Sequence, residues 1–330
     1  MDGIKTLQDA ILYFSDFENC RRVMMKLRWP DGVVSCPYCG STKLTYLAKN
    51  RVWKCYTGHD KPKFSLKTGT IFEDSPLGLD KWLAALWLVV NCRNGISSCE
   101  SARDLGVTQK TAWFMNHRLR FALNEGFGNK LSGEVEADET FIGGKARNMH
   151  ADKRAEKITG RGPEGKAIVA AVLERGGKVK ARVIRNRRKP EIQKLVRENV
   201  EAGSNLYSDA LKSYEGLDEY THQAIDHAET YVKGRIHTNG LENFWALLKR
   251  GINGTYVSVE PFHLFRFVDE QSYRYNNRKD NGRLRAFRTR TVTHHWEALN
   301  LRASDRQGSR IRYGGHVKRQ GRGKRRQKAG

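Results

Sequence analysis

Three acidic residues occupy positions where the local pattern gives a carboxylate little structural reason to be. Asp138 lies inside the alternating segment Val135-Glu-Ala-Asp-Glu-Thr-Phe-Ile142, and Asp209 follows the short segment Asn205-Leu-Tyr-Ser208. Glu242 lies in His237-Thr-Asn-Gly-Leu-Glu-Asn-Phe-Trp245, which continues through Leu247-Leu-Lys-Arg-Gly251. Hard oxygen ligands drawn from two strands and a helix suit divalent cations. Two such ions roughly 3.5–4 Å apart activate an attacking oxygen and stabilise a leaving one, the requirement of phosphoryl transfer on a nucleic acid. Strand alternation puts Glu136 on the face of Asp138, which makes it a rival ligand, and turns Glu139 the other way. Each acid also has an ordinary reading as a surface charge or ion-pair partner. For Glu242 that reading is a capping box, since Asn239 stands three residues before it.

A second constellation is built for a softer metal. Cys36-Pro-Tyr-Cys39-Gly40 offers two thiolates in one tight turn, and Cys55 and His59 follow after polar, strand-like residues. Two ligand pairs at this spacing are those of a zinc ribbon, with one thiolate replaced by imidazole. Asp60, or no fourth ligand, is the alternative to His59. Four protein ligands leave no open position, so a bound Zn2+ is structural and contributes about 10–16 kcal/mol toward folding the module.

The elements that must position these groups follow from periodicity. Leu7, Ile11, Phe14 and Phe17 recur at helical spacing until the turn Arg28-Trp-Pro-Asp-Gly32. Leu79, Trp82, Leu83, Leu86, Trp87 and Val90 form a second apolar stripe. Ser98–Leu105, the turn Gly106-Val-Thr108 and a helix from Gln109 to Leu123 have the cadence of a helix-turn-helix, capped by Thr108. In that motif Ala102, Leu105, Val107, Ala112 and Trp113 point inward, while Gln109, Lys110, Phe114, His117 and Arg118 face a DNA major groove. A three-helix spacer with a solvated basic face is the plainer alternative.

From Gly133 the period changes to that of strands: Val135–Ile142, the apolar run Ala167–Leu173, and Lys178–Ile184 after the Gly176-Gly177 turn. Residues 143–165 are polar, basic and rich in glycine, and read as a mobile loop. A helix at Pro190–Val200, a strand at Asn205–Ser208, a helix start at Leu211–Leu217 and a short strand at Gln223–Ile225 come next. Helices from His237 and from Pro261 to Tyr275 complete a mixed α/β plan with an antiparallel edge. In the first of them Leu241, Phe244, Trp245, Leu248 and Ile252 form the apolar stripe, Asn239 takes the cap position, and Gly251 and Gly254 are stop signals.

Composition decides the partner. A chain of 330 residues with 60 Lys and Arg against 36 Asp and Glu has a formal charge of +24, and its pI of about 9.9 calls for a polyanion, by default nucleic acid. Trp82–Val90 is too short to span a bilayer, and the first residues lack the basic start of a signal peptide. Of six cysteines, three cluster at ligand spacing, which favours a metal site in a reducing cytoplasm over a disulfide framework. The last thirty residues carry many Lys and Arg against one acid, Asp305, and read as a disordered tail that attracts phosphate without specificity.

In combination these motifs resemble those of the DDE-type insertion-sequence transposases with an N-terminal zinc ribbon, the ISXO-type branch. The residues that carry the likeness are Arg28–Gly32 with Cys36–Gly40, Phe64–Ser75, Gly106–Trp113, Glu136–Gly144, Tyr207–Asp209, and His237–Trp245 through Leu247–Gly251. The likeness spans roughly residues 10 to 280. It implies an α/β, RNase H-like catalytic core, a mixed sheet flanked by helices, preceded by a zinc ribbon and a helix-turn-helix domain. The divisions expected are a helical segment 1–33, ribbon 34–75, helix-turn-helix 76–128, catalytic domain 129–285 and basic tail 286–330. It further implies that Asp138, Asp209 and Glu242 hold two Mg2+ (or Mn2+), and that Lys249, seven residues after Glu242, touches substrate DNA. The expected partners are double-stranded DNA, both transposon ends and target, and further copies of the chain on that DNA in a prokaryotic nucleoid. A DNA-binding regulator without catalysis, or a nuclease that never joins strands, is the alternative function.

Overall fold

The computed structural model describes residues 4–124, 129–144, 150–152, 165–209, 211–225 and 237–278. Its chain starts with two helices, α1 (Leu7–Ser15) and α2 (Phe17–Arg28). The apolar spacing runs across both, but Asp16 leaves the helical conformation and caps α2 through the Glu18 N–H, so the stripe is split. Thr6 and Asp9 form a reciprocal capping box at the start of α1. Ile11 of that stripe is exposed.

Strands β1 (Leu44–Leu47), β2 (Val52–Cys55) and β3 (Lys63–Ser65) form an antiparallel sheet. This ribbon has a core of its own kind: the Trp53 ring meets Trp29, Tyr46 and Phe64, each with centroids 4.8–5.8 Å away. Helices α3 (Leu79–Asn91), α4 (Ser98–Leu105) and α5 (Gln109–Ala122) follow, and their buried residues join those of α1, α2 and the ribbon in one hydrophobic cluster. Ser97 caps α4, Gly106 ends it at φ 59°, and Thr108 caps α5 through the Thr111 N–H.

The second sheet has the order β6-β5-β4-β7-β8, built from β4 (Glu134–Ile142), β5 (Ala167–Glu174), β6 (Val179–Ile184), β7 (Asn205–Asp209) and β8 (Thr221–Ile225). β4, β5 and β6 pair antiparallel, whereas β4, β7 and β8 pair parallel. β5 lies inside the sheet and is apolar on both faces for that reason. Ala170 and Val172 meet Val135, Ala137 and helix α6 (Lys189–Asn199) on one side. Val169, Ala171 and Leu173 meet helices α7 (Asn239–Arg250) and α8 (Leu264–Asn276) on the other.

Two further elements differ from the sequence expectation. The helix start at Leu211–Leu217 is a single 3-10 turn, Lys212–Tyr214, because Gly216 adopts φ 77° and ends it. α7 begins at Asn239 with Thr238 as its cap residue, so Asn239 is already inside the helix and makes no capping box with Glu242. Its far end does not stop at Gly251 but widens into a π-helical turn, Gly251–Tyr256. Most of the expected loop at 143–165 and the whole basic tail lie outside the described residues.

Candidate active site and metal centres

Asp138 and Asp209 meet through sheet topology. In the parallel pair β4/β7, Ala137 stands opposite Ser208, and the two aspartates are the next residues along each strand. Their carboxylates and that of Glu139 place one ligand oxygen each within 4.8 Å of the others. Asp209 stands at the C-terminal end of β7, where open α/β sheets place their sites, while Asp138 and Glu139 lie midway along β4. Glu242, half-buried in the first turn of α7, is not within that 4.8 Å group, but its charge acts on Asp138.

Burial dominates the electrostatics. It pushes the Asp138 carboxyl up to about 6, against a hydrogen bond from Trp245, while the charges of Asp209 and Glu242 push it further up. Glu139 is raised to about 7, first by burial and then by the charges of Asp209 and Asp138. Burial and gathered like charges thus act in the same direction on both carboxyls.

Two members of the site escaped the sequence pattern. Glu139 does stand on the opposite face from Asp138, where Tyr214 donates its hydroxyl to Oε2 at 3.2 Å and Arg187 Nη1 lies 3.3 Å from Oε1. Its carboxylate nonetheless reaches the cluster at the strand end, which face alternation cannot register. Trp245 was read as part of an apolar stripe; it is buried as expected, but its indole N–H donates to Asp138 Oδ2 at 2.8 Å. The rival Glu136 has a different task. It is fully buried, paired with Arg175 at 3.0 Å, and its Oε2 accepts the Leu241 N–H at 3.0 Å, thereby capping α7 from the neighbouring strand.

The second metal set assembles as its spacing required. Cys36, Cys39, Cys55 and His59 present ligand atoms all within 4.8 Å of one another, so His59 and not Asp60 completes it. Cys39 Sγ and Cys55 Sγ are 3.7 Å apart, and Cys36 Sγ lies 3.3 Å from His59 Nε2. Tetrahedral ligands at about 2.1–2.3 Å from a common ion stand roughly 3.5–3.8 Å from one another, so the residues fit a structural Zn2+. Gly40, at φ 71°, closes the knuckle with its N–H on the Cys36 carbonyl at 2.8 Å.

On α5 the two aromatic positions exchange roles. Trp113, expected inside, is 39% exposed; His117, expected on a groove-facing surface, is 5% exposed. His117 lies against Trp113, His263 and Phe267, and burial followed by the Arg120 charge drives its pKa down to about 2. The cause is α8, whose Arg266 donates to the His117 carbonyl at 2.9 Å and covers a face that local periodicity leaves open. Gln109, Lys110 and Phe114 are exposed as expected, while Arg118 is half-buried and donates to the Glu73 carbonyl at 2.9 Å. Lys249 is exposed near the end of α7.

Comparison with known proteins follows these two centres. Residues 15–59, which contain all four ribbon ligands, match the transposase zinc-ribbon domain family. Residues 130–276, which contain Asp138, Glu139, Asp209 and Glu242, match the ISXO2-like transposase domain family. A protein described as an uncharacterized protein in transposable element ISH50 of Halobacterium salinarum is 27% identical over 243 residues, covering 70% of this chain and 81% of that protein. An uncharacterized transposase-like protein of Haemophilus influenzae is 29% identical over 102 residues, 30% of this chain and 82% of its own. Among the described residues no helix is long and apolar enough to cross a membrane. In its ribbon and its sheet alike, the chain is similar to the insertion-sequence transposases, through a zinc-ribbon match at 15–59 and an ISXO2-like transposase-domain match at 130–276.

Proposed function

We propose that this protein is a DDE-type transposase that cuts DNA at the ends of an insertion sequence and joins the freed 3′-hydroxyls to target DNA. The observation that carries the reading is the gathering of Asp138 and Glu139, midway along β4, with Asp209 at the end of the parallel strand β7, beside the Glu242 charge and inside the matched transposase domain. The mixed order β6-β5-β4-β7-β8 suits an RNase H-like core. Two Mg2+ or Mn2+ ions held there would supply activation of the attacking oxygen and neutralise charge on the leaving one.

The chain's own contribution is placement. Asp138 and Asp209 serve as ligands from adjacent strands, and Glu242 is the third, offered from α7. Trp245 orients Asp138 by its indole N–H. Lys249 faces a phosphate of the substrate strand as a point charge. α4 and α5 act as a helix-turn-helix, with Gln109 and Lys110 toward the major groove and Arg118 at its rim; His117 is withdrawn from that set by its burial. The ribbon assists DNA binding, and two element ends held together require at least two copies of the chain.

The test is excision of a marked element by the Asp138→Asn protein, checked for an unchanged melting temperature. A loss of about 100-fold or more is expected when a metal ligand is removed. Excision at the wild-type rate rejects the reading. Joined products in a strand-transfer assay with Mg2+ exclude a nuclease that only hydrolyses, and a wild-type protein that binds ends but never cuts them is a regulator.

A further inference from the structure

One residue of a strongly cationic segment, Arg187, meets the carboxylate cluster. Arg185, Arg187, Arg188 and Lys189 are all exposed and occupy the link from β6 into α6. Arg187 touches the carboxylate cluster: Nη1 is 3.3 Å from Glu139 Oε1, and its guanidinium carbon is 4.8 Å from the Phe141 ring centre. Its carbonyl accepts the Ser213 hydroxyl at 2.5 Å, which ties the segment to the turn following the strand of Asp209. Among the described residues Arg187 is the one of these four cations with an acidic partner.

A phosphodiester brought to several carboxylates is repelled by them, in proportion to their charge and inversely with distance. Cations at a fixed place against the same cluster offset that repulsion and bind a strand through its phosphates without reading its sequence. A basic face that only keeps the protein soluble has no reason to set one of its cations on a carboxylate of the cluster. We propose that Arg185, Arg187, Arg188 and Lys189 form the surface on which the backbone of the cut strand lies, with Arg187 nearest the reacting phosphate. This inference rests on the reading of the carboxylates as a DNA-cutting site.

The experiment uses the full chain with Arg185→Ser, Arg187→Ser and Arg188→Ser combined, and a short labelled duplex of arbitrary sequence. Affinity is measured over a NaCl series with Ca2+ present, and Mn2+ binding is measured separately without DNA. The expected result is a salt slope reduced by about 2–3, at about 0.9 for each lost phosphate contact, with Mn2+ binding unchanged or tighter. An unchanged slope overturns the proposal. An unchanged slope with weaker Mn2+ binding also overturns it and leaves Arg187 as a support for Glu139. Wild-type excision by the Asp138→Asn protein would remove the cutting reaction instead, while the slope still decides whether DNA lies on this segment.

Discussion

Asp138 is held between opposing influences, and their balance is measurable. Burial raises its pKa to about 6 and that of Glu139 to about 7, above the ordinary carboxyl range near 4. Because the folded values exceed the unfolded ones, the native state binds these protons more tightly. Without metal, the two groups therefore reduce stability as pH rises from about 4 to about 7. A cation competes with the same protons, so Mn2+ affinity is expected to climb across about pH 5.5 to 7.5 and level off above it. Trp245→Phe keeps an aromatic side chain but removes the N–H that favours the charged carboxylate, so the midpoint of that climb moves to higher pH. A midpoint that stays in place would detach Trp245 from the site. Asp138 and Asp209 were legible because a carboxylate within or just after a strand is anomalous. Glu139 was not, since alternation assigns it to the other face, and the Trp245 donor was hidden inside an apolar stripe.

At the level of elements, the helix that carries Glu242 is docked by a carboxylate on β4. Glu136 accepts the Leu241 N–H and pairs with Arg175, which in turn donates to the His237 carbonyl at 2.8 Å. Gly240 makes the approach possible: a Cβ there would stand 2.7 Å from Leu173 Cδ2 and 2.8 Å from Glu136 Oε2. Gly240→Ala should therefore destabilise the protein by about 1–3 kcal/mol through overpacking, although alanine in a helix is otherwise favoured by about 1 kcal/mol. Urea unfolding measures the sign, and a stabilised variant would show that α7 can retreat without loss. Strands and helices were readable from their periods wherever one face is buried. The start of α7 was misplaced because its cap comes from a residue about a hundred positions earlier, and no local pattern records such a partner.

Across the whole molecule, the N-terminal helices and the sheet are joined by buried charge. Arg120 on α5 lies 2.7 Å from Glu270 on α8; Arg274 meets the other carboxylate oxygen at 2.5 Å, and the Tyr256 hydroxyl donates to the same group at 2.9 Å. Arg120 and Glu270 are both buried, so Glu270→Leu strands a cation in the interior and should cost about 3–5 kcal/mol. Adding Arg120→Met should recover much of that loss in the same denaturation measurement; equal losses in the single and double variants would mean that the pair is not the source. The packing of α8 on α5 leaves no local signal in the sequence, and it exchanges the surroundings that periodicity gives Trp113 and His117. α8 is fixed to the sheet in turn, its Asn276 exchanging hydrogen bonds with the Val179 backbone at 2.7 and 3.0 Å. On the proposed function, a molecule joined in this way would act as a ruler on DNA. On the proposed reading it fixes the number of base pairs between the sequence met by α5 and the bond presented to Asp138. About five extra base pairs, half a helical turn, would carry that bond to the far side of the duplex.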